Sequence, residues 1–139
     1  MENQEFDGEF EVIVVDSGST DNTLEIVQLV YPSAKIVSPS DPVYLPGKFI
    51  NYGLAEASAE AEYVIILSAH CVPTTNQWLK GMVQSIEISD GVVGAYCKQI
   101  PFRSTNFENK RDLVNSFGDE VIIKSKDAFF HNAASIVST

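Results

Sequence analysis

The sequence predicts an α/β fold, a mostly parallel open sheet with helices on both faces, and three observations carry that expectation. Strand-like and helix-like segments alternate along the chain. Two apolar runs, Val12 to Val15 and Tyr63 to Leu67, show no polar alternation, as expected of strands buried on both faces of a sheet. The first run ends in an acidic, glycine-containing turn, Asp16-Ser17-Gly18-Ser19-Thr20-Asp21, at the strand end where α/β sheets bind ligands.

Each element has a local reason. Asp16 stops the first strand, Gly18 permits a tight turn, and Ser19, Thr20 or Asp21 can cap a helix over Thr23 to Val30. Ala34 to Val37 reads as a second strand, and the loop Ser38 to Gly47, with four prolines or glycines, is irregular by composition. Lys48 to Ala59 repeats apolar and small residues at helical spacing (Phe49, Ile50, Tyr52, Gly53, Leu54, Ala57), and Tyr63 to Leu67 follows as a third strand. Pro73-Thr74-Thr75-Asn76 opens a helix over Gln77 to Ile88 with Trp78, Leu79, Met82, Val83 and Ile86 on one core-facing stripe. A fourth strand is expected over Val92 to Cys97, a helix over Glu108 to Phe117 and a last strand over Val121 to Lys124; the stretch from Phe129 to Ser135 is small and polar after two aromatics.

The chain has 139 residues, enough for one domain with its own core. Nine basic against 19 acidic residues argue against broad binding to nucleic acid or to an anionic surface through net charge. No apolar run approaches the ~18 residues a membrane span needs, so a cytoplasmic protein with no direct membrane segment is expected. Cys71 and Cys97 match no paired-cysteine spacing and are read as reduced thiols, with a zinc site from His70, Cys71, Cys97 and His131 as the minor alternative. No Gly-x-Gly-x-x-Gly follows any strand, which excludes a standard dinucleotide site.

Several segments, in order and over nearly the whole chain, resemble the inverting glycosyltransferases of family 2, which have the nucleotide-diphosphosugar transferase fold known as GT-A. Val15-Asp16-Ser17-Gly18-Ser19-Thr20-Asp21-Asn22-Thr23 is similar to the family's Val-Asp-Asp-Gly-Ser-x-Asp-x-Thr signature, with Ser17 where an acid is common. Gly47-Lys48-Phe49-Ile50-Asn51-Tyr52-Gly53 resembles the glycine, basic residue and Asn-x-Gly that open the family's next helix. Ser68-Ala69-His70 falls where the family has its Asp-x-Asp metal motif. Tyr96-Cys97-Lys98-Gln99-Ile100-Pro101 and Asn132-Ala133-Ala134-Ser135 resemble acceptor-side segments of rhamnosyltransferase-like and related polysaccharide-forming members.

What the resemblance implies is a nucleotide-diphosphosugar donor held by Asp16, Ser17, Gly18, Asp21, Lys48, Asn51, Ser68 and Ala69, with the nucleoside at Asp16 and the diphosphate near Lys48. Gln99 and Asn132 would lie toward a saccharide or lipid-linked saccharide acceptor, in cell-surface polysaccharide synthesis at the inner face of a membrane. His70 would keep one ligand position for a divalent cation, Mn²⁺ or Mg²⁺; the serine at 68 lacks the carboxylate such hard cations prefer. The catalytic base remains unassigned. Against the family pattern the chain starts about 30 residues late, by one strand-helix unit, and stops before the usual acidic pair. The expectation is therefore a truncated domain, inactive by itself, that lacks the usual first strand and helix. Unpaired edges would flank that gap and offer a route to oligomers. A non-catalytic sugar-nucleotide-binding or assembly module of the same fold is the alternative.

Overall fold

A computed structural model of the chain describes residues 3–124 and 130–139. The order is β1 (Ile13–Val15), α1 (Thr23–Val30), β2 (Lys35–Val37), α2 (Pro46–Ala55), β3 (Tyr63–Leu67), α3 (Trp78–Ile86), β4 (Gly94–Tyr96), α4 (Phe107–Ser116) and β5 (Ala134–Ser138). The α/β expectation holds, and α1 and β3 have the bounds read from the sequence.

The strands form two sheets. β1 and β2 pair in parallel, with Ile13 opposite Lys35 and Val15 opposite Val37. The second sheet has the order β3-β5-β4, with β5 antiparallel to both neighbours. A mostly parallel sheet was expected because the sequence gives no sign of β5. Its residues, Ala-Ser-Ile-Val-Ser, are too small and polar to announce a central strand, yet Ala134, Ser135 and Ile136 are all buried. Conversely, Val121 to Lys124, expected as the last strand, belongs to no strand. An apolar, β-branched run becomes a strand only where a neighbour pairs with it, and 121–123 stay exposed.

The core sits in the second sheet. Met82 and Ile86 of α3 close on Ile136 of β5, with Tyr63, Ile65, Trp78, Val83, Val92, Ala95 and Cys97 packed around them. The stripe predicted for α3 is therefore the one that faces the sheet. In the first sheet no residue of β1 or β2 is fully buried. There α2 supplies the cover, and its Gly53 lies so close to β1 that a Cβ would stand 3.0 Å from Val15 Cγ2. β1 and β3 do not pair with each other. The N-terminal segment bonds to the loop before α3 and to its first turn: Glu5 N donates to Asn76 O at 2.6 Å, and Leu79 N donates to Gln4 Oε1 at 3.0 Å.

Candidate functional site

The Asp16 turn is a closed hydrogen-bonded unit. Asp16 is 8% exposed; its Oδ2 accepts from Gly18 N at 3.0 Å and Ser19 N at 3.0 Å, and its Oδ1 accepts from the Ser19 hydroxyl. The Ser19 hydroxyl, helped by the Ser19 and Gly18 amides and opposed by burial, holds the Asp16 carboxyl below the usual carboxylate range. Gly18 sits at φ +105°, where a side chain would be strained, so the glycine is what allows the chain to fold back onto the carboxylate. Asp21 does for the helix start what Asp16 does for the turn. Its Oδ1 accepts from Thr23 N at 3.1 Å and Thr23 Oγ1 at 2.6 Å, and these bonds lower its pKa. Ser17 stands exposed at the tip.

Lys48 and Asn51 lie on the first turns of α2, both exposed. Lys48 Nζ is 2.6 Å from Asp41 Oδ1 and 5.8 Å from the centre of the Tyr52 ring, and Tyr52 donates its hydroxyl to the other Asp41 oxygen. Asp41 raises the Lys48 pKa, and Lys48 and then Tyr52 lower that of Asp41. Asp41 carries little sequence signal, being an acid in a proline-rich loop seven positions before a lysine.

Ser68 follows β3 directly. Its N–H donates to Ala133 O at 2.8 Å and its carbonyl accepts from Cys71 N at 2.8 Å, so the turn that carries Ala69 and His70 is pinned against the start of β5. Ala69 and His70 are exposed. Cys97 N donates to Ala134 O at 3.1 Å, which brings the end of β4 to the same place. Gln99 Nε2 is 2.9 Å from His131 Nδ1, Ala133 N donates to that nitrogen at 3.4 Å, and Asn132 is exposed. Tyr96, Phe117, Phe130 and His131 form an aromatic cluster that shares His131 with this pair, and Tyr96 and Phe130 are edge-to-face at 5.5 Å. Phe129, read from the sequence with this stretch, lies outside the described residues. On β5, opposite Tyr96 in register, the Ser135 hydroxyl is buried with no hydrogen-bond partner among the described residues.

The fold thus gathers the predicted residues into three groups. Asp16, Ser17, Gly18 and Asp21 share one turn, Lys48 and Asn51 one helix start, and Ser68, Ala69, His70, Gln99 and Asn132 surround the start of β5. Among the described residues no three His, Cys, Asp or Glu side chains converge on one point, and His70 stands as a single exposed donor. Cys71 and Cys97 are both free thiols, and burial, with Cys97 nearby, pushes the Cys71 thiol up. Among the described residues no helix is long and apolar enough to cross a membrane.

The model of glycosyl transferase family 2 matches residues 2–137. The chain belongs to glycosyltransferase family 2. A similar protein, the O-antigen chain rhamnosyltransferase WbaN of Salmonella anatum, is 28% identical over 118 residues. That match covers 84% of this chain and 36% of WbaN, so this member of glycosyltransferase family 2 spans about a third of the relative's length. No solved structure gives a significant match.

Proposed function

We propose that the chain binds a nucleotide-diphosphosugar donor for inverting sugar transfer in cell-surface polysaccharide synthesis. The observation that supports this best is the Asp16 turn, a buried and ionised carboxylate held by its own backbone at the carboxyl end of a parallel strand. In this reading Asp16 and the exposed residues around it receive the nucleoside, and Asp21 keeps the turn in place. Lys48 faces the diphosphate as a point charge, in competition with Asp41. Ser68 and Ala69 offer a backbone turn at the diphosphate end, and His70 stands beside them as one exposed donor. His70 would be one protein ligand of a divalent cation shared with the diphosphate.

Inverting transfer also needs a base that takes the acceptor's proton as its oxygen attacks the anomeric carbon. The acceptor side is assigned to Gln99, His131 and Asn132, none of them a carboxylate. The nearby Asp119 is an exposed partner of Lys98. The chain by itself is therefore expected to bind donor and to transfer little or no sugar. Its acceptor, a saccharide or lipid-linked saccharide, would be met at the inner face of a membrane. The open edges of β1 and β3 give self-association a route, which light scattering would reveal as a mass above that of one chain.

Calorimetric titration with UDP-, GDP- and dTDP-sugars, with and without Mn²⁺, tests the reading. Binding of one class, weakened about tenfold or more in Asp16→Asn, is the expected result. No binding of any class would overturn it. A second reading, a non-catalytic sugar-nucleotide-binding or assembly module, is favoured by the serine at 68. Binding indifferent to Mn²⁺ supports that module, and binding that requires Mn²⁺ supports a transferase segment.

A further inference from the structure

The loop 38–45 joins β2 to α2 and is fastened to that helix at two points. Asp41, whose side chain is 19% exposed, accepts from Lys48 Nζ at 2.6 Å through one carboxylate oxygen and from the Tyr52 hydroxyl through the other. Three positions on, the Tyr44 ring lies 4.9 Å from that of Phe49, which is buried and meets Tyr52 edge-to-face at 5.8 Å. Asp41 is therefore held at Lys48 partly by contacts that Lys48 does not itself make.

Stability does not account for this ion pair. The Lys48 side chain is 48% exposed, and exposed pairs contribute little to folding. Nor does Asp41 cap the helix: Leu45 holds the N-cap position of α2, and among the described residues no side chain caps it. What the pair does is neutralise the cation assigned to the diphosphate. The approach to that cation is otherwise open, since Gly47 beside it is exposed and a Cβ there would meet no atom within 4 Å.

We propose that Asp41 is a built-in competitor for the donor's diphosphate: it occupies Lys48 in the empty protein, and a diphosphate binds by drawing Lys48 away from it. The inference rests on the reading that Lys48 faces the diphosphate. In this exchange Lys48 moves and the loop stays. The ammonium rides on a flexible four-carbon stem, whereas Asp41 keeps the Tyr52 hydroxyl and Tyr44 keeps Phe49. The carboxylate left behind is a fixed negative charge beside the bound phosphates, which tunes the site toward weaker, readily reversed binding. Apparent affinity is the intrinsic affinity reduced to the fraction of protein in which Lys48 is unpaired. An exposed pair near the upper end of the usual strength holds Lys48 in about four-fifths of the molecules, so its removal should tighten binding about fivefold.

Calorimetric titration with UDP, GDP and dTDP tests this on the wild-type chain, Asp41→Asn, Lys48→Ala and the double variant. Asp41→Asn, which keeps an oxygen for the Tyr52 hydroxyl, should bind the preferred diphosphate about fivefold more tightly than wild type. Asp41→Ala should tighten it likewise, so the result does not hang on how one variant folds. Lys48→Ala should bind about tenfold more weakly, and adding Asp41→Asn to it should change the affinity by less than about twofold. That last comparison separates a contest for Lys48 from the general gain toward anions when an acidic chain loses a carboxylate. Equal affinity of Asp41→Asn and wild type, equal tightening with Lys48 absent, or Lys48→Ala as tight as wild type would each overturn the proposal and leave sugar-nucleotide binding standing. Absence of binding in every variant would overturn both.

Discussion

The two sheets carry different burdens. The β3-β5-β4 sheet with α3 holds the cluster of Met82, Ile86 and Ile136, whereas β1 and β2 are three-residue strands with no fully buried residue and Phe49 is the one buried apolar side chain among the described residues of their half. Yet the most complete polar structure, the Asp16 turn, is in the thin half. The comparison separates packing from the polar turn proposed to bind the donor: one sheet provides the packing, and the other presents backbone and carboxylate groups that local hydrogen bonds hold in place. Elements of low burial are those that can adjust to a ligand.

The largest effect should come from breaking the packed half. Ile136→Ala leaves a cavity at a residue with no exposure, and we expect a loss of about 3 kcal/mol in urea denaturation. Val14→Ala, its counterpart in the thin half, should cost about 1 kcal/mol because that side chain is smaller and only partly buried. Equal costs would remove the distinction. Next comes Ser135→Ala, which deletes a buried hydroxyl without a partner among the described residues. A gain of about 1 kcal/mol is expected, and a loss would mean that the hydroxyl is satisfied in solution.

The smallest effect concerns pH. The Asp16 carboxyl has a folded pKa below its ordinary value near 3.8, so the stability it contributes is fully present above about pH 4 and is lost as pH falls through the folded pKa. Asp16→Asn should flatten the stability profile on that acid side and leave it unchanged near neutrality in slope. An unchanged acid limb would show that the Ser19 and Gly18 bonds do not favour the ionised form.

Much of this was legible in the sequence where local chemistry decides. The bounds of α1 follow from the Asp21-Asn22-Thr23 start, and those of β3 from an uninterrupted apolar run. The stripe on α3 was visible because amphipathic spacing survives whatever packs against it. β5 was not visible, since Ala134 and Ser135 carry no strand signal of their own and are buried by their place between β3 and β4. The run 121–123 misled for the converse reason: strand-forming residues without a partner strand. At the site, the Asp16 turn could be read directly because every bond in it spans two or three residues. Asp41 and the Gln99–His131 contact could not, because each depends on where a loop returns.

We propose that the thin half receives the nucleotide. Amide chemical shifts followed by NMR during titration with UDP-, GDP- and dTDP-sugars in turn test it most directly. The account predicts that, for the class that binds, Gly18 and Ser19 move first and furthest, with Lys48 and Asn51 following. Shifts confined to α3 and the β3-β5-β4 sheet would contradict it, as would a spectrum that none of the three classes changes.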